Sequence, residues 1–273
     1  MGNTQKDLET SNMNTLTKRL APLAVLAIGS SLSGCAYILG DFNEVDGVAF
    51  SELDMSAPAP SDIQLAGPDN VIITQGDSLV ITFEGHPEAI EALRFDREGD
   101  RLTIARDQNV FDGSGKAIIQ ITMPAPSELG VAGSGRIEAE TMASEADLDL
   151  AGSGNIVIAS LEASDLEVDI AGSGNVAAKG TAQQLAISIA GSGNVNFSDL
   201  NAETASIDIA GSGDVDLASD GSVSASIAGS GDVNVTGSAT CAVSAAGSGS
   251  LTCRPTPTAE IASDEVSGET TAE

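Results

Sequence analysis

A chain with one histidine and 40 Asp and Glu residues can attempt few kinds of chemistry. His86 is the only imidazole able to serve a serine nucleophile as base, and His86-Pro87 reads more simply as the entry to a helix. Gly113-Ser114-Gly115-Lys116 has the glycine-and-lysine form of a phosphate loop. However, Ala117 stands where Ser or Thr would hold the metal, and the outer glycine is missing. Paired carboxylates suffice for glycoside hydrolysis, yet no acid pair stands apart from its surroundings, and Lys179 is the sole basic residue between 137 and 250. Asp214 and Asp232 follow equivalent Gly-Ser-Gly strings and would repel each other unless solvated or bridged by a cation, which makes them a candidate calcium pair. Their spacing differs from the calcium-binding Gly-Gly-x-Gly-x-Asp nonapeptide. The sequence therefore offers no catalytic set and calls for no cofactor.

The cysteines say more. Lys18 and Arg19 precede the apolar run Leu20–Leu32, whose 13 residues fall short of the ~20 that span a bilayer. The run reads as the core of a secretory signal. It ends in Leu32-Ser33-Gly34-Cys35, which resembles the lipobox of bacterial lipoproteins; that resemblance implies cleavage before Cys35 and acylation of its thiol and new amino terminus. Asp7 and Glu9 do not suit a signal's basic start, so translation is expected to begin at Met13. Myristoylation of Gly2 would want Ser or Thr where Lys6 stands. Ala36 is not the Asp that retains lipoproteins at an inner membrane, so the expected address is the outer membrane, facing either the periplasm or the exterior. Cys241 and Cys253 remain, an even pair in an oxidising compartment, and a disulfide between them is expected.

The elements that position these residues follow from composition and repetition. A net charge of −29 repels phosphate backbones and argues against nucleic-acid partners. A hydrophobic fraction of 41 % is too high for a wholly disordered acidic chain, but only 3 % of residues are aromatic, so the core must be packed with small side chains. Ala-Gly-Ser-Gly begins at Ala132, Ala151, Ala171, Ala190, Ala210, Ala228 and Ala246, at spacings of 19, 20, 19, 20, 18 and 18 residues. A fixed period of this length marks a solenoid. Leu148-Asp149-Leu150, Val168-Asp169-Ile170 and Ile207-Asp208-Ile209 alternate with the period of a strand. One polar position after each motif comes an apolar residue: Ile137, Ile156, Val176, Val195, Val215, Val233 and Leu251. Each unit is thus strand, glycine-rich bend, strand, which predicts an all-β parallel β-helix with Val, Ile and Leu stacked inside. Asn155, Asn175 and Asn194 should form an amide ladder, and the motif serines a second ladder at the bend.

Residues 44–126 carry other signals. Strands are expected at Val71–Thr74, Leu79–Phe83, Arg101–Ile104 and Ala117–Met123, with a helix from Pro87 through Leu93. This β region would cap the N-terminal edge of the solenoid, and the cysteine pair would staple the far end. The chain then divides into a signal peptide at 1–34, a lipidated linker at 35–43, the β region at 44–126, the β-helix at 127–253 and a disordered acidic tail at 254–273. Gln75-Gly76-Asp77, Ile121-Thr122-Met123-Pro124 and the Gly-Ser-Gly series together resemble the head GIN domain family, labelled as auto-transporter adhesins, over roughly residues 44–250. The resemblance implies a right-handed parallel β-helix in the bacterial envelope and brings no catalytic residues. The expected function is a lipid-anchored, non-enzymatic recognition module, held to the membrane through its anchor, whose ligand is a glycan or a protein. A passive structural lipoprotein and a polysaccharide-active β-helix enzyme are the alternatives.

Overall fold

The computed structural model describes residues 47–111 and 113–255. Sixteen strands join in one sheet that winds into a parallel β-solenoid. In chain order they are β1 (Asp62–Gly67), β2 (Asn70–Gln75), β3 (Val80–Gly85), β4 (Leu93–Glu98), β5 (Arg101–Arg106), β6 (Ala117–Met123), β7 (Glu128–Gly133) and β8 (Arg136–Ala139). There follow β9 (Glu145–Gly152), β10 (Asn155–Gly172), β11 (Asn175–Gly191), β12 (Asn194–Gly211), β13 (Val215–Gly229), β14 (Asp232–Thr236), β15 (Thr240–Gly247) and β16 (Ser250–Arg254). Among the described residues the one α-helix, α1, is Pro87–Glu91, shorter than expected because Leu93 and Phe95 turn inward as strand residues of β4.

Each coil has a long first face ending in Ala-Gly, a second face after the bend, and a short third face. Strands β10, β11 and β12 run through all three, with Leu161, Gly180 and Leu200 in register on the third. On the first face the register is unbroken, from Gly67 through Gly133, Gly152, Gly172, Gly191, Gly211 and Gly229 to Gly247. The two glycines of the motif have different reasons to be there. Gly191 sits at φ 136°, where an L side chain is strained. A Cβ on Gly193 would instead lie 2.6 Å from Ile170 Cγ2 and 2.8 Å from the Gly174 carbonyl, so there the neighbouring coil leaves no room. The bend is then stitched between coils through its backbone: Ser192 N–H donates to the Gly172 carbonyl at 2.7 Å, and Ser212 to Gly191 at 2.8 Å.

The core is a column of stacked Val, Ile, Leu and Ala. Ile137, Ile156, Val176, Val195, Val215 and Val233 are all buried, whereas Leu251 in the last coil is only partly covered. Aromatics concentrate at the first end, where the rings of Phe50, Phe83 and Phe95 meet edge-to-face at centroid distances of 4.7, 5.5 and 5.8 Å and plug the column.

The N-terminal residues are wound into the solenoid, out of chain order. Strand β1 lies parallel between β5 and β7, and β2 lies parallel between β6 and β8. The outermost coil is therefore β5–β6, and its exposed edges are closed by antiparallel strands, β4 on β5 and β3 on β6. Residues 1–46, where the signal segment is expected and where Cys35 lies, and residues 256–273 lie outside the described residues.

Candidate functional site

Two ladders present the solenoid's polar groups. On the first face, the outward residues Asp62, Glu128, Asp147 and Glu167 stand in one register, and Gln64, Gly130, Asp149 and Asp169 in the next. Gly130 is glycine because the Gln64 carboxamide lies over its Cα. From there the Gln64 Nε2 donates to Asp62 Oδ1 at 2.7 Å and to Glu128 Oε1 at 3.1 Å. Arg101 closes this end, donating through Nε to Asp62 and through Nη2 to Glu128 at 3.3 Å. Farther along the face Asp147 stacks on Glu167 and Asp149 on Asp169. Burial, reinforced by Glu128, Asp169, Asp147 and Glu167, pushes the Asp149 carboxyl up to about 7. Burial likewise raises Glu128, Asp147, Glu167 and Asp169, with a Ser188 hydrogen bond partly offsetting it at Asp169. Beyond Asp169 the same column continues as Ser188, Asp208, Ser226 and Ser244.

On the second face the expected amide ladder forms. Asn175 Nδ2 donates to Asn155 Oδ1 and Asn194 Nδ2 to Asn175 Oδ1, each at 3.1 Å. The candidate calcium pair continues that ladder in another form. Asp214 Oδ1 accepts the Asp232 backbone N–H at 2.9 Å, and Asp232 Oδ1 accepts the Ser250 N–H at 3.0 Å and its hydroxyl at 2.7 Å. Each carboxylate thus has an oxygen committed to the next coil. Among the described residues no three His, Cys, Asp or Glu side chains gather to hold a metal ion.

The other residues singled out by type serve the fold. His86 stacks on Phe111 at 5.1 Å and packs against Gly115, while the Gly113 carbonyl accepts from Arg106 Nη1 at 3.3 Å, so the glycine string 113–116 is spent on packing. Cys241 and Cys253 are disulfide-bonded across the terminal coil, joining β15 to β16.

A buried ion pair went unread in the sequence. Asp69 accepts from Arg106 Nε at 2.9 Å and from the Ala117 N–H at 2.7 Å, with a further contact from Arg106 Nη2; the side chains are 1 % and 4 % exposed. Phe111 lies over the guanidinium at 5.5 Å. Ala66-Gly67-Pro68-Asp69-Asn70-Val71 is a degenerate copy of Ala-Gly-Ser-Gly-Asn-Val, with Asp69 in the place of the second glycine. The signal that could have found it is the Ala-Gly and Asn-Val frame around two altered residues. An aspartate fits here because the adjoining coil has a longer connection between Arg106 of β5 and Ala117 of β6 in place of the two-residue bend.

Long parallel coils, an aromatic plug and antiparallel end strands define a capped parallel β-solenoid with exposed polar ladders. The chain belongs to the family described as "Putative auto-transporter adhesin, head GIN domain", whose family model matches residues 59–239. Solved structures agree in fold. One is a putative adhesin from Bacteroides fragilis NCTC 9343, at 24% identity and TM-score 0.63, covering 72% of this chain and 92% of that one. A putative lipid binding protein from Parabacteroides distasonis ATCC 8503 is 22% identical with TM-score 0.57, covering 72% of this chain and 93% of its own. A putative adhesin from Parabacteroides merdae ATCC 43184 is 19% identical with TM-score 0.57, covering 73% of this chain and 92% of its own. A comparison with curated proteins finds no match.

Proposed function

We propose that the protein is a lipid-anchored component of the bacterial envelope that offers its solenoid as an adhesive recognition surface and performs no catalysis. Membership of the adhesin-labelled family across residues 59–239 is the observation that carries this reading. The ladders add to it, because a regular array of side chains on parallel coils gives an extended face of the kind solenoids use for binding. Anchoring rests on the order Lys18-Arg19, Leu20–Leu32, Leu32-Ser33-Gly34-Cys35, and the outer-membrane address on Ala36.

In cells fed labelled palmitate, the wild-type chain takes up label and fractionates with outer membrane, whereas Cys35→Ser takes up none and becomes soluble. Protease added to intact cells removes the solenoid. An unlabelled wild-type chain would remove the anchor from this reading. Protection in intact cells, with cleavage after lysis, would place the solenoid in the periplasm and favour the passive structural role.

A further inference from the structure

The two ends of the solenoid are finished differently. At the first end β3 and β4 pair antiparallel with the outermost coil and three phenylalanines fill the column. At the other end β15 pairs only with β13, and β16 only with β14, among the described strands. The disulfide ties the two faces of this last coil together but does not cover it. Cys241, Val243 and Ala245 are in register with Val223, Ala225 and Ile227, whose side chains are buried, so they occupy core positions. Val243 is nevertheless 53 % exposed.

An exposed strand edge is normally blunted by charge or proline, and β15 (Thr-Cys-Ala-Val-Ser-Ala-Ala-Gly) has neither. No Asp or Glu occurs from Val233 to Ala259, in a chain that carries 40 of them. The open end is thus the acid-free, apolar part of a strongly acidic molecule. A basic partner would be drawn instead to the carboxylate ladder around Asp149. The open end suits a surface of its own kind.

We infer that β15 is a docking edge for a second copy of this chain, the two strands pairing antiparallel about a twofold axis through Val243. That register sets Val243 opposite its counterpart and Cys241 opposite Ala245 of the other copy, so every core position of β15 gains a neighbour, as an isologous contact requires. It repeats, between molecules, the antiparallel closure that β4 gives β5 within one. The contact is a single eight-residue strand, less than the ~800 Å² per partner of stable complexes, so the dimer is reversible. The inference is independent of the lipid anchor, since its test contains no lipid.

The test is sedimentation velocity on residues 36–273, which hold every strand of the sheet, from about 1 µM to about 1 mM. The expected weight-average mass rises with concentration toward twice the monomer value. Val243→Asp and Val243→Lys stay monomeric with folded circular dichroism, and Val80→Asp at the capped end dimerises like the wild type. Amide exchange in β15 slows as the dimer forms. A wild-type chain that stays monomeric throughout, or Val243 variants that dimerise undiminished, would overturn the inference. So would β15 protection that is independent of concentration and vanishes on removing residues 256–273, because the edge would then belong to the chain's own tail.

Discussion

Asp149 shows how a repeat turns an ordinary surface acid into a titrating group. Alternation alone points it outward, but the in-register stack sets Asp169 one coil, ~4.8 Å, away. Burial penalises the charged form most, the neighbouring carboxylates Glu128, Asp169, Asp147 and Glu167 reinforce it, and the carboxyl is pushed up to about 7. A carboxyl whose folded value lies above its unfolded value of 3.8 binds more protons when folded, so stability falls as pH rises between the two and levels off above about 7. Melting temperature is therefore expected to rise as pH is lowered from 8 to about 5. Glu128, Asp147, Glu167 and Asp169 shift the same way and add to the slope. Asp149→Asn should flatten the profile and stabilise the protein at pH 8 by on the order of 1 kcal/mol, after discounting for the partly exposed side chain. A thermal-melt series over that pH range checks it; an unchanged slope in the variant would show that the ladder is fully solvated. The acids are thus more than a coat of charge: at this end of the face burial, reinforced by stacking, tunes them.

The strand is where the sequence was most and least readable. Wherever the local pattern repeats, it sufficed: the Ala-Gly-Ser-Gly string and the apolar residues from Ile137 to Val233 specify coil, bend and core together, and the Asn155–Asn175–Asn194 ladder follows from their period. Strands β2, β3, β5 and β6 were legible from their β-branched runs. The Leu93–Glu98 strand was not, because its inward Leu93 and Phe95 sit among four charged residues and abut a helix start. Nor was the exchange of order that slots β1 and β2 inside β5 and β6, since pairing between distant segments leaves no local periodicity. Asp69 is the trace of that exchange. The adjoining coil lacks the tight bend that forces glycine elsewhere, and the space holds a carboxylate that neutralises Arg106 and caps the Ala117 N–H. This yields a prediction against consensus. Asp69→Gly restores the repeat motif yet leaves a buried guanidinium without its partner, and should cost about 3–5 kcal/mol. Chemical denaturation checks it, and a cost under about 1 kcal/mol would mean that the pair is solvated or dispensable.

The whole molecule has a direction, and its consequences depend on where it is tethered. The described chain enters at the capped end, where Val48 bridges Phe95, and leaves at the open end through Arg254. If acylation occurs at Cys35, twelve residues ahead of Gly47, the capped end is the one nearest the tether in sequence, and the acid-free end is the one left to meet other surfaces. Pairing of β15 between copies would then join two membranes tip to tip, a homotypic form of adhesion. The expectation is tested by coupling residues 36–273 to vesicles through an N-terminal hexahistidine tag and nickel-chelating lipid. Vesicles so coated should cluster, those coated with Val243→Asp should not, and a tag at the C-terminus should abolish clustering by hiding the open end. Salt should help, because acidic solenoids of like charge repel at range; the repulsion is screened beyond ~10 Å at 0.1 M ionic strength, whereas a strand pair between uncharged edges loses nothing. Clustering that weakens with salt would instead implicate the carboxylate ladder, and would place adhesion on the side of the solenoid and not at its tip.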